Sequence, residues 1–122
     1  MAFIADAVFD LALATLTTNG TQIDITYTQE ATSYTEATST YTCGNDTVTT
    51  GAAEAGATNG RRVIVAAITA GAVTDTQTAG WWALTNGTDT LYATGALSSP
   101  QAVTSGNTFT LDAISITFAD AT

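Results

Sequence analysis

The hydrophobic period of the chain changes once, at Asn19-Gly20, and that change limits what the chain can fold into. Before it, side chains recur with helical spacing. Ile4, Val8, Leu11 and Thr15 fall at i, i+4, i+7 and i+11, and Phe9, Leu13 and Leu16 widen the stripe sideways. Asp6 and Asp10 lie in the N-terminal half, where the helix dipole favours anions. Asn19-Gly20 follows the last apolar residue as a C-cap would. The spacing predicts one helix over residues 3–18. Its apolar face is broad for a surface helix, so it is expected to lie against its own sheet or against a neighbour.

After Gly20 the period is two. In "TQIDITYT", Ile23, Ile25 and Tyr27 alternate with Asp24, Thr26 and Thr28, the pattern of a half-buried strand. "EATSYTEATSTYT" is a short imperfect repeat and reads as loop or irregular edge strand anchored by Tyr34 and Tyr41. Residues 44–60 lack periodicity and read as the longest loop. "RRVIVAAITA" reads as one strand apolar on both faces, Val63 and Val65 on one and Ile64 and Ile68 on the other, and is expected to be central or covered. Asn86-Gly87 between two β-like runs is a hairpin signal. A two-residue turn would set Trp82 opposite Leu91 and Trp81 opposite Tyr92, and a longer loop would shift that register. Pro100 suits an edge strand or a connection. Phe109 and Leu111 share one parity while Ile114, Ile116 and Phe118 take the other, which predicts a bulge near Asp112-Ala113.

One helix followed by strands with Gly/Asn turns predicts a mainly β fold. The expected architecture is a single β-sandwich or barrel-like domain of about seven to nine short strands preceded by one N-terminal α-helix. Residues 1–20 form the helix or arm and 21–122 the β-domain. The 122 residues suffice for one domain with its own core. Ile23, Ile25, Val65, Leu84, Leu111 and Ile116 are the expected core residues.

Charge excludes several functions. Eleven carboxylates face two arginines, with no lysine or histidine, and the net charge is −9. Nucleic-acid binding requires a basic footprint, and anionic membrane surfaces are disfavoured for the same reason. No apolar run is long enough to span a bilayer as a helix. "MAFIADAVFDLALATL" lacks a positive n-region and carries Asp6 and Asp10 within its apolar stretch, so it is not read as a signal peptide, and synthesis in a cytoplasm is expected. Charged residues make up 11% of the chain while hydrophobic ones make up 45%, so the surface is mostly Thr, Ala, Asn and Gly. A free monomer usually carries more surface charge, which suggests coverage by partners.

Catalytic chemistry finds little purchase. Nucleophilic triads need a base, and neither His nor Lys is present. The nearest carboxylate pairs, Asp6/Asp10 and Glu30/Glu36, read as a helix face and a repeat. "GNDT" at 44–47 and "NGTD" at 86–89 lack calcium-loop spacing. The Asn-x-Thr sequons read as chance matches from an Asn- and Thr-rich composition. Cys43, the single cysteine, reads as a small apolar residue. Adjacent Trp81 and Trp82 point to opposite faces of a strand, so at most one is exposed to stack on a sugar, and packing is favoured. No enzyme activity, metal or cofactor is expected.

Arg61 and Arg62 have two readings. They either flank an aggregation-prone strand and pair with nearby carboxylates, or one of them leaves the domain and forks onto a carboxylate of a partner.

The segments "EATSTYTCGN", "NGRRVIVAAIT", "TAGWWALTNGTDTLYATGAL" and "QAVTSGNTFTLDAISI", with "FIADAVFDLAL" before them, resemble a family of small virion proteins of tailed bacteriophages. The chain departs from that family at Cys43 and at Trp81-Trp82, where relatives are more polar. The resemblance implies a head decoration, or cement, protein on the outer surface of the capsid. Its partners would be the major capsid protein and copies of itself, as a dimer or trimer. Partner-binding residues are then expected to be Phe3, Ile4 and Val8 of the helix together with Arg61 and Arg62. A tail-associated module, or one that binds carbohydrate on a host surface, is the alternative.

Overall fold

The structure, a computed structural model, describes residues 4–119. It contains one α-helix, α1 (Asp6–Asn19), and nine strands: β1 (Gln22–Thr26), β2 (Thr42–Thr47), β3 (Glu54–Ala55), β4 (Arg61–Val65), β5 (Ile68–Val73), β6 (Gln77–Thr85), β7 (Leu91–Val103), β8 (Thr108–Leu111) and β9 (Ile114–Phe118). Six strands form one sheet in the order β7-β6-β1-β2-β5-β8, and three form a second in the order β3-β4-β9. The curled sheets make a half-barrel, in keeping with the mainly β fold expected from the sequence.

The core is built by period-two alternation. Ile23 and Ile25 of β1, Cys43 of β2, Val63 and Val65 of β4, Leu84 of β6 and Phe109 of β8 are fully or almost fully buried. Burying each large apolar side chain contributes about 1.5–3 kcal/mol. Leu13 and Leu16 of α1 belong to the same cluster, so the helix closes the core. Ile116, expected in the core, is only partly buried, because β9 is an edge strand of the smaller sheet. The ring of Phe109 packs against β5 at Gly71, where a Cβ atom would stand 2.3 Å from it, so glycine is required there.

Two corners link the sheets. The chain leaves β4 in the small sheet, passes Ala66-Ala67 and enters β5 in the large one. It returns at Asp112-Ala113, between β8 and β9. "RRVIVAAITA" is therefore two strands, and the corner resets the alternation, so that Ile68 is buried together with Val63 and Val65. The parity change at Asp112-Ala113 likewise comes from a change of sheet and not from a bulge within one strand. The residues read as a long loop also carry structure: 44–47 are in β2, Thr50 bridges to Val65, and Glu54–Ala55 form β3.

The repeat read as loop or edge strand is helical over 34–40, with a π-helix at Glu36–Thr40. Ser33 Oγ accepts the Glu36 N–H at 3.2 Å, and Glu36 Oε1 accepts the N–H and the hydroxyl of Thr32, each at 2.8 Å. This is a variant of the capping box. The segment lays Ala31 and Ala37 over Ala83 on the outer face of the large sheet. The Asn86-Gly87 hairpin has the longer loop. Asn86 Oδ1 accepts the N–H groups of Thr88, Asp89 and Thr90 at 2.9–3.0 Å, and the strands pair with Trp82 opposite Gly95 and Trp81 opposite Ala96.

Candidate docking surface

α1 is apolar on two sides. Phe9, Leu13 and Leu16 face inward. The outward side carries Val8 and Leu11, which are 56% and 76% exposed, and Ile4, 43% exposed, lies in the extended chain just before the helix. The fourth large exposed apolar side chain among the described residues, Phe118 at 39%, belongs to β9, and its ring centroid is 5.7 Å from that of Phe9. The exposed apolar surface is therefore gathered on α1 and the strand end beside it. Helical geometry places Ala7, Val8, Leu11, Ala14, Thr15 and Thr18 on the outward half, without a charged side chain among them. A solvated helix face normally carries charge, and a helix that is apolar all round is normally covered.

α1 is tied to the rest of the fold at both ends. Arg61, the first residue of β4, forks onto Asp10 of α1, with Nε to Oδ1 at 2.8 Å and Nη2 to Oδ2 at 3.4 Å. The carboxylate raises the Arg61 pKa further above its ordinary value, chiefly through that hydrogen bond. At the other end of the helix the Gly20 N–H donates to Leu16 O at 2.8 Å, Thr17 Oγ1 donates to Gly51 O at 2.8 Å, and Thr50 Oγ1 donates to Gly20 O at 2.9 Å. Gly60, just before β4, has φ +74 and its Cα packs on the Phe118 carbonyl, which leaves no room for a side chain.

Of the residues expected to meet a partner, Phe3 lies outside the described residues. Val8 is exposed on the outer side of α1, whereas Ile4, expected within a helix over 3–18, is exposed in the extended chain before it, because the helix begins only at Asp6. Leu11 is more exposed than either, although the sequence reading did not single it out as a contact; its i+7 spacing from Ile4 is the signal that marks it. Arg61 and Arg62 are both paired within the chain. Arg62 stands 3.7 Å from Glu54, directly across the β3–β4 pair, and its buried Nε has no hydrogen-bond partner.

Two buried ionisable groups lie away from α1. Asp24 is fully buried under the 28–41 segment, where its carboxylate accepts from Gln22 Nε2 at 2.9 Å and Thr42 Oγ1 at 2.7 Å. Burial raises its pKa, and the two hydrogen bonds oppose the rise. Cys43 is buried with its thiol 3.5 Å from Ile25 O, and burial pushes its pKa up to about 11. Among the described residues no group of three His, Cys, Asp or Glu side chains is placed to hold a metal ion.

A cleft of about 510 Å³ lies where the large sheet fails to close, between β7 and the β8–β9 corner. Trp82, Leu97, Thr110, Asp112 and Ile114 line it together with Gln101, whose Nε2 donates to Thr110 O at 3.1 Å across the gap. Trp81 and Trp82 are both partly buried. No helix among the described residues is long and apolar enough to cross a membrane. No protein-family model, curated protein or solved structure matches the chain.

Proposed function

We propose that the chain is a structural virion protein of a tailed bacteriophage, a capsid decoration (cement) protein that binds the outer surface of the head and stabilises capsomer contacts. The observation that carries this reading is the outer face of α1, apolar and uncharged where a free helix would be solvated. The resemblance of the β-segments to small phage virion proteins supplies the kind of assembly. The partners are then the major capsid protein and further copies of the chain, as a dimer or trimer, and the role is structural rather than catalytic. Neither nucleic acid nor membrane is a partner, in line with a net charge of −9.

The physical mechanism is linkage. A ligand that binds the assembled lattice and not its separated subunits stabilises the lattice by RT ln(1 + [L]/Kd) per site, and a shell offers many equivalent sites. A helix held by the Arg61–Asp10 fork and the Gly20 hydrogen bonds binds without first being ordered, which lowers the entropic cost of each contact.

One observation favours a second reading. The cleft at the open seam combines an indole with amide, hydroxyl and carboxylate groups, as a carbohydrate site does, and fits a tail-associated or host-surface module. Electron microscopy of particles separates the two. Copies distributed over the whole head support decoration, copies restricted to the tail or one vertex support the second reading, and absence from the particle overturns both.

A further inference from the structure

The charge and the shape of the α1 surface together indicate what covers it. The chain has two cationic side chains: Arg61 forks onto Asp10 beside α1, and Arg62 stands 3.7 Å from Glu54 on the β3–β4 pair. Every other charged side chain at neutral pH is a carboxylate. A second copy that met this face through its own α1 would set the Asp6, Asp10 and Glu54 carboxylates of one copy against those of the other. A basic partner gains from the same field: Asp6 is exposed on the flank of the helix, and Asp10 and Glu54 lie with it around Arg61.

Shape points the same way. α1 has 14 residues, and at 1.5 Å per residue a helix of that length is about 21 Å long. Two copies meeting through this face alone would press one convex cylinder on another along about 21 Å, a narrow contact against about 800 Å² per partner in a stable complex. A groove reaches further round the cylinder, taking in Val8, Leu11 and the flank that carries Asp6, together with Ile4 just before the helix.

We infer that the outer face of α1 docks into an apolar groove edged by lysine or arginine on a different protein, and not onto α1 of a second copy. The inference rests on the decoration reading, in which that protein is the head shell. The dimer or trimer proposed above then forms through other faces.

The test uses the intact chain with undecorated heads of the same phage as the probe. Affinity is measured by co-sedimentation across salt, with light scattering of the free chain alongside. The variant Leu11→Asn changes a side chain that is 76% exposed, and circular dichroism checks that it remains folded. Affinity is expected to fall roughly tenfold between about 0.05 M and about 0.5 M NaCl. Leu11→Asn is expected to lower it by roughly tenfold at fixed salt, while the assembly state of the free chain stays the same in both proteins. Affinity that ignores salt or rises with it overturns the inference, as does wild-type affinity in Leu11→Asn, or a free dimer that Leu11→Asn dissociates. In each of those cases decoration itself still stands. Failure of the wild-type chain to bind heads at any salt removes the decoration reading, and the inference falls with it.

Discussion

Arg61 and Asp10 join the first position of β4 to the middle of α1, the guanidinium Nε lying 2.8 Å from Oδ1 and Nη2 3.4 Å from Oδ2. The fork sits at the N-terminal half of the helix, while Gly20, Thr17 and Thr50 hold the other end. Without the fork, Phe9 against Phe118 is the remaining aromatic contact near that half. Asp10→Asn and Arg61→Ala are each expected to speed amide hydrogen exchange in the first turns of α1 and leave the β1, β2 and β6 amides unchanged. The double variant should be no worse than the more severe single one. Uniform acceleration through the sheet would mean that the pair stabilises the whole fold.

Leu11 and Leu13 are two positions apart and point in opposite directions, one 76% exposed and the other in the core. Leu13→Ala should lower the unfolding free energy by about 2–5 kcal/mol, the range for a buried leucine that leaves a cavity. Leu11→Ala should stay within about 0.5 kcal/mol. Urea denaturation of the two variants checks this, and similar losses in both would show that α1 is rotated about its axis relative to the structure.

Asp24 makes stability depend on pH with a definite sign. Burial sets its folded pKa above the ordinary value of 3.8. The contribution of such a group is fully present below the unfolded pKa and is lost as pH rises through the folded one. Asp24→Asn carries no such charge. The stability of Asp24→Asn relative to wild type should therefore improve as pH rises from about the ordinary carboxylate value through the raised one. Denaturation midpoints of both proteins over that range provide the measurement. A difference that is flat with pH would mean that Gln22 and Thr42 stabilise the ionised carboxylate enough to cancel burial.

Cys43 should be inert in the folded protein. Its thiol is buried and its pKa is pushed up to about 11, so little thiolate exists at mildly alkaline pH and what exists is shielded. Iodoacetamide followed by mass spectrometry should find no adduct on the native chain and complete modification in denaturant. Ready labelling of the native protein would indicate that β2 opens from the sheet.

The sequence could be read wherever a single period dominated. The Ile23/Ile25 alternation located β1, but the strand is not half-buried as expected: Asp24 and Thr26 on its other face are fully buried too, because β1 lies in the middle of the large sheet. The change of parity after Leu111 marked the place where the chain changes sheets. It was ambiguous wherever two arrangements were equally apolar. α1 offers two stripes, and spacing alone does not decide whether Phe9-Leu13-Leu16 or Ile4-Val8-Leu11 faces the core. That choice is made by Phe118 and the half-barrel, which lie far along the chain. Ala66-Ala67 turns a corner with residues that carry no turn signature. The π-helix at Glu36–Thr40 was legible in Ser33-x-x-Glu36, but threonine-rich flanks made the segment look extended. The long hairpin loop followed from one side chain, Asn86, which gathers three successive amides.

The two corners have a consequence for the order of folding. β1 is paired on one side with β2 but on the other with β6, and β4 finds its second neighbour only in β9, the last strand of the fold. As the chain leaves the ribosome, α1 and β1 appear first and wait, their apolar faces uncovered, until strands from the far half are released. Such non-local closure is slow and leaves sticky intermediates. A nascent chain of this topology gains from sparse apolar runs and abundant threonine, which keep the waiting strands soluble until the last partner arrives.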